Sequence, residues 1–116
     1  MDYETPDLLV REVKGVTILR VRYATFDGMV EIQRITAEID EILSRGARRL
    51  VIDLKYVKFA GSAALGLLIA TQKKLQDLNG KLVVSHAENI EELLKVSHTA
   101  HLFTLAPDPR AAFKLF

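Results

Sequence analysis

The chain has 116 residues, 49% hydrophobic, 27% charged and 7% aromatic, and it contains neither cysteine nor tryptophan. Sixteen Lys and Arg against fifteen Asp and Glu leave a net charge of +1. This composition excludes disulfide scaffolds, thiolate zinc sites and Cys nucleophiles, and it argues against a domain built to neutralise nucleic-acid phosphates. No apolar stretch reaches the roughly 20 residues of a membrane span, and Asp2, Glu4 and Asp7 spoil any signal-peptide pattern. A cytoplasmic chain with no cofactor, no nucleic-acid partner and no direct membrane insertion is expected. Pro6, Pro107 and Pro109 lie near the ends, so residues 1–116 read as one domain without a linker.

In chain order, Leu8–Lys14 and Val16–Ala24 are rich in Val, Leu and Ile and predict a hairpin turning at Gly15. Ile32, Ile35, Ile39 and Ile42 recur at three- and four-residue steps, which predicts an amphipathic helix from Met29 to Ser44 that starts near Asp27 or Gly28. Arg49–Leu54 is continuously apolar at its centre, as in a strand covered on both faces. A helix over Ser62–Leu78, a strand over Lys81–Ser85, a helix over Asn89–Val96, a strand over Leu102–Leu105 and a helical segment from Pro109 follow. Gly46 and Gly80 stand where left-handed residues close helices. The order predicts an α/β fold: a mixed, mostly parallel sheet opened by an N-terminal β-hairpin, with about four helices.

The informative stretch runs from Val51 to Leu75: strand, loop, then a helix opened by Gly61-Ser62. A serine there has a plain use, capping the first-turn N–H groups. The composition that follows is less ordinary, because Ala63, Ala64, Leu65, Gly66, Leu67, Leu68, Ile69 and Ala70 leave no polar face for about two turns. Such a cylinder is either sunk in the core or turned toward another protein, and contact with a partner is the expectation.

Enzyme readings at the same residues are weak. Gly61 and Gly66 have phosphate-loop spacing, but Leu67 and Leu68 stand where Lys and Ser or Thr are needed. A nucleophile elbow needs glycines where Ala60 and Ala64 stand. Ser62, His86 and Asp53 could form a triad only if geometry united them. Asp53 near a strand end resembles a phospho-acceptor, yet the first strand ends Val13-Lys14-Gly15 without the acidic pair that would hold Mg²⁺. His98 and His101, three apart, with His86 upstream, lack a carboxylate cluster, so solvated or capping histidines are expected and no metal.

The sequence resembles the STAS domain family over nearly its whole length, and the anti-sigma factor antagonists within it. The residues that carry the resemblance are Phe26-Asp27 before the first long helix, the strand Leu50-Val51-Ile52-Asp53-Leu54, the loop and helix Phe59-Ala60-Gly61-Ser62-Ala63-Ala64-Leu65-Gly66, and Asn79-Gly80-Lys81-Leu82-Val83-Val84. The resemblance implies a non-enzymatic regulator. Its partner is an anti-sigma factor that is also a serine kinase, and it phosphorylates the first residue of the second helix, here Ser62. It also implies a partner-binding surface made by Asp27, Phe59, Ala60, Gly61, Ser62, Ala63 and Leu65. A phosphate adds about −1.5 to −2 charge, which a helix N-terminus tolerates and an apolar contact does not. The chain departs from the family in having Gly61 where an acidic residue is common, and Ala63-Ala64 where Ser-Gly or Thr-Gly is common. The alternative is therefore a STAS scaffold without phosphorylation, inside a signalling assembly or a lipid- or anion-transport complex.

Overall fold

The computed structural model describes residues 2–116. Strands β1 (Asp2–Glu4), β2 (Leu8–Val13) and β3 (Val16–Val21) come first, followed by the short β4 (Thr25–Phe26) and helix α1 (Met29–Ser44). Next are β5 (Arg49–Asp53), the short β6 (Phe59–Ala60), α2 (Ser62–Asp77) and β7 (Lys81–Ser85). A 3₁₀ turn, Ala87–Ile90, leads into α3 (Glu91–Val96); a second, Ala100–Leu102, precedes β8 (Thr104–Ala106) and α4 (Pro109–Phe113). The main sheet has the order β1-β2-β3-β5-β7-β8, antiparallel through β3 and parallel from there on. The expected α/β class, the opening hairpin and four α-helices are all present.

The topology follows from handedness. Each parallel step, β3 to β5, β5 to β7 and β7 to β8, moves in the same direction across the sheet. Right-handed crossovers then place α1, α2 and α3 on one face. The large apolar cluster lies there, with Leu19, Leu50, Ile52, Leu82 and Val84 of the sheet packed on Ile35 and Ile39 of α1 and on Leu68 and Leu75 of α2. Alternate residues of the same strands, Val16, Val51 and Val83, face the other way and form a smaller cluster with Ala106 and with Ala112 of α4.

Several boundaries differ from expectation. β1 adds a third strand outside the hairpin, and β4 pairs in parallel with β6 in a separate two-stranded sheet. Both are too short to show a period in the sequence. The helix expected over Asn89–Val96 is a 3₁₀ turn followed by one and a half turns of α-helix, and the last strand begins two residues later than its pattern suggested. At the end of α2 the left-handed residue is Asn79 (φ 59°) and not Gly80. Gly80 is required for a different reason: a Cβ there would stand 2.5 Å from the Arg48 carbonyl oxygen.

One polar anchor ties β2 to α1. Asp7, fully buried just before β2, accepts hydrogen bonds from Arg34 Nε at 3.0 Å and Nη2 at 2.7 Å, and also from the Tyr23 hydroxyl. The Arg34 hydrogen bonds hold the Asp7 carboxyl below its ordinary range, while Asp7 pushes the Tyr23 phenol up. Nearby, Glu38 accepts from Thr5 Oγ1 at 3.2 Å, and desolvation pushes its carboxyl up.

Candidate functional site

β5 delivers the chain to the C-terminal end of the parallel strands, and the segment 54–61 carries it across that end to α2. Four contacts fix the segment. Leu54 N donates to Ser85 O (3.0 Å), Asn89 Nδ2 donates to Val57 O (2.8 Å), Lys58 N donates to Ala24 O (2.7 Å), and Gly61 N donates to Phe26 O (3.2 Å). These bonds, with the β4–β6 pair, hold the entry to α2 against the residues that open α1.

Gly61 is the N-cap residue of α2, in an extended conformation, and no side chain caps the helix. Ser62 is therefore the first helical residue and not the cap. Its side chain is exposed, and its hydroxyl has no hydrogen-bond partner among the described residues. This corrects the capping role expected for it: a hydroxyl caps only from the half-in position before the first turn, one residue earlier. The first turn of α2 also has no acidic side chain of its own, and no side chain caps its N–H groups. The carboxyl of Asp27 packs directly on Gly61, where a Cβ would overlap it.

The apolar cylinder divides. Ala64, Leu65, Leu67, Leu68, Thr71 and Leu75 are buried, while Ser62, Gly66 and Ala70 face solvent. The leucines of α2 thus belong to the core, Ile69 is only partly buried, and small residues face solvent over its first two turns. Of the residues expected at the partner surface, Ala60, Gly61 and Leu65 are buried in the chain's own interior and present no side chain to a partner. Phe59 is 54% exposed, Ser62 is exposed, and Asp27 and Ala63 are partly so. Met29 and Val30, at the start of α1, are also exposed, at 61% and 59%. Val30 lies off the isoleucine stripe, but Met29 lies on it, so its exposure left no mark in the pattern.

A second polar group lies on the α4 side of the sheet, where Arg20, Asp53 and Ser85 share one register row. Asp53 is fully buried and accepts from Arg20 Nε (2.5 Å) and Ser85 Oγ (2.8 Å), with His86 Nδ1 at 2.6 Å. Asp53 and His86 do meet, as a triad would require, but the serine that joins them is Ser85, and it bonds the carboxylate rather than the imidazole. His98 follows the C-cap of α3, Ser97, with φ 57°, and His101 sits in a 3₁₀ turn. Among the described residues no group of three or more His, Asp or Glu is placed to hold a metal ion, and no helix is long and apolar enough to cross a membrane.

A sequence model of the STAS domain matches residues 7–112. The chain belongs to the STAS domain family. BtrV of Bordetella bronchiseptica, named as a candidate anti-sigma factor antagonist, is 27% identical to this STAS chain over 85 residues, covering 72% of it and 73% of BtrV. The crystal structure of an anti-sigma factor antagonist from Mycobacterium paratuberculosis is 26% identical and superimposes with a TM-score of 0.76 over 97% of both chains. That of a candidate antagonist from Thermotoga maritima, 18% identical, reaches 0.82 over 91% of both chains. The segment carrying Phe59, Gly61 and Ser62 lies well inside the matched region of the STAS domain.

Proposed function

We propose that this STAS chain is an anti-sigma factor antagonist. It docks on an anti-sigma factor that is also a serine kinase, through the start of α2, and phosphorylation of Ser62 ends the contact. The observation that carries this reading is the state of Ser62: an exposed, unbonded hydroxyl at the first position of an uncapped helix, three residues after the exposed Phe59. Transfer of the γ-phosphoryl group of ATP forms an Oγ–P bond, breaks the bond to ADP and releases the hydroxyl proton to a base. The product dianion is compatible with the fold, because the N–H groups of the first turn of α2, which no side chain caps, favour an anion. It is incompatible with an apolar interface that would have to desolvate it. Modification therefore switches binding without unfolding the domain.

The test uses the histidine-kinase-like ATPase encoded nearest to this chain in its genome. Incubation with ATP is expected to add the mass of one phosphate to the peptide containing Ser62. Titration calorimetry is expected to show Ser62→Ala binding like the wild type and Ser62→Asp binding at least tenfold more weakly. Equal affinities for the two variants would remove the switch. Binding without any mass shift would favour the scaffold reading, for which Gly61 in place of the usual acidic residue is the supporting observation.

A further inference from the structure

The N-terminal ends of the parallel strands lie at the opposite end of the sheet from Ser62, and cations gather there. A cavity of about 360 Å³ opens where β2, β3 and the turn from α1 to β5 meet, a size that suits a small ligand. Arg45, Arg48 and Arg49 line it, together with one acid, Glu12. Arg45 Nη2 donates to Glu41 (2.6 Å), and Arg48 Nη1 donates to the carbonyls of Leu43 (3.0 Å) and Ala47 (2.8 Å). These bonds steady both guanidinium groups and leave the other N–H groups of each unused. Arg49 is exposed and its side chain has no partner among the described residues. Even with Glu41 counted, the group carries a net positive charge.

Thr17 points to what the cavity takes. It lies in β3, in register with Glu12 of β2 and Leu50 of β5, and is only 7% exposed. Its hydroxyl has no hydrogen-bond partner among the described residues. A hydroxyl so placed loses water and gains nothing in return, and valine would fill the same strand position without that loss. It is not sealed in, because every enclosed side-chain polar atom among the described residues has a partner. The opening it keeps is the cavity that Thr17 lines. A buried hydroxyl donor and unused guanidinium N–H groups therefore face one space, and both suit an anion rich in acceptor oxygens.

We propose that this cavity binds a phosphate monoester. The Thr17 hydroxyl donates to one phosphate oxygen, and Arg48 and Arg49 donate to the others, with the planar fork that matches phosphate. A dianion of about −1.5 to −2 charge matches a site with three guanidinium groups. The site is separate from the surface at Ser62 and does not depend on docking there.

The probe is inorganic phosphate, titrated into the labelled chain at constant ionic strength and followed by amide NMR shifts. Saturable shifts are expected in residues 15–17 and 45–49 and not at Ser62. Thr17→Val is expected to keep or raise the Tm and to bind phosphate about tenfold more weakly, the loss of one hydrogen bond to a charged group. Arg49→Gln, which removes no contact within the chain, is expected to weaken binding similarly at unchanged Tm. No saturable shift below about 10 mM phosphate, ten times a millimolar Kd, overturns the proposal. So does binding by both variants within twofold of the wild type, or a fall in Tm of more than about 4 °C in Thr17→Val, which would show an internal partner for the hydroxyl. Two further probes separate the sources of the ester. Displacement of phosphate by glycerol 3-phosphate, without sedimentation on vesicles of phosphatidylcholine and phosphatidic acid, identifies a soluble ester. Sedimentation with those vesicles, lost in Arg49→Gln, identifies a lipid headgroup; phosphate binding with neither result overturns the monoester.

Discussion

Asp53 shows how little a residue's type says about its task. A fully buried carboxylate persists only when donors satisfy it, and here Arg20, Ser85 and His86 do so. Nothing in the spacing of residues 20, 53, 85 and 86 announces the group; it is assembled by parallel register, which sets three strands side by side. Asp53→Ala is expected to lower stability by about 2–3 kcal/mol in urea denaturation. That is below the 3–5 kcal/mol for a fully buried pair, because Arg20 stays 27% exposed and can recover water. A loss under about 0.5 kcal/mol would show the carboxylate to be dispensable. At Ser62 one residue's difference in where the helix starts separates a cap from a free hydroxyl, and the helix starts at Ser62 itself.

At the scale of elements, α2 owes its double character to its place in the order. It is the middle of three helices on one face, and β5 and β7 lie beneath it, so neighbours cover both flanks and only one narrow stripe reaches solvent. The apolar run Ala63–Ala70 is thus mostly core, a division its composition could not reveal. The end helix is simpler. α4 has Pro109 at its first position, and Asp108 caps it by accepting from Ala111 N at 2.8 Å. Its Ala112 is the lid of the smaller cluster. Asp108→Ala is expected to remove about 1 kcal/mol and to speed amide exchange in residues 110–113 while leaving β5 protected. Uniform loss of protection across the sheet would mean that α4 holds more of the fold than its five residues suggest.

For the whole molecule, the acid limb of stability reports on the anchor between β2 and α1. Asp7 titrates lower in the folded chain than in the unfolded one. Its contribution is therefore complete above the unfolded carboxylate range near pH 4 and is lost as pH falls through the lowered folded value. Glu38 has the opposite sign. Its raised folded value favours the protonated form, so its contribution is present below pH 4 and declines as pH rises through that value. Asp7→Asn is expected to be less stable than the wild type at pH 7 and to show a shallower decline of Tm below pH 4. Parallel acid limbs for the two proteins would place the titration elsewhere.

Periodicity and turn chemistry in this chain determined the α/β class, the hairpin at Lys14-Gly15 and the two long helices, because each follows from interactions between residues close in sequence, whereas the candidacy of Ser62 came from the family resemblance. The tertiary structure alone decided that Leu65 and Ala60 face inward while Met29 and Val30 face out. It also decided that Asp27 lies on Gly61, that Asp53 gathers its three partners, and that Gly66 opens onto free space. These are contacts between segments far apart in the chain, and only the packing of α1, α2 and the sheet brings them together.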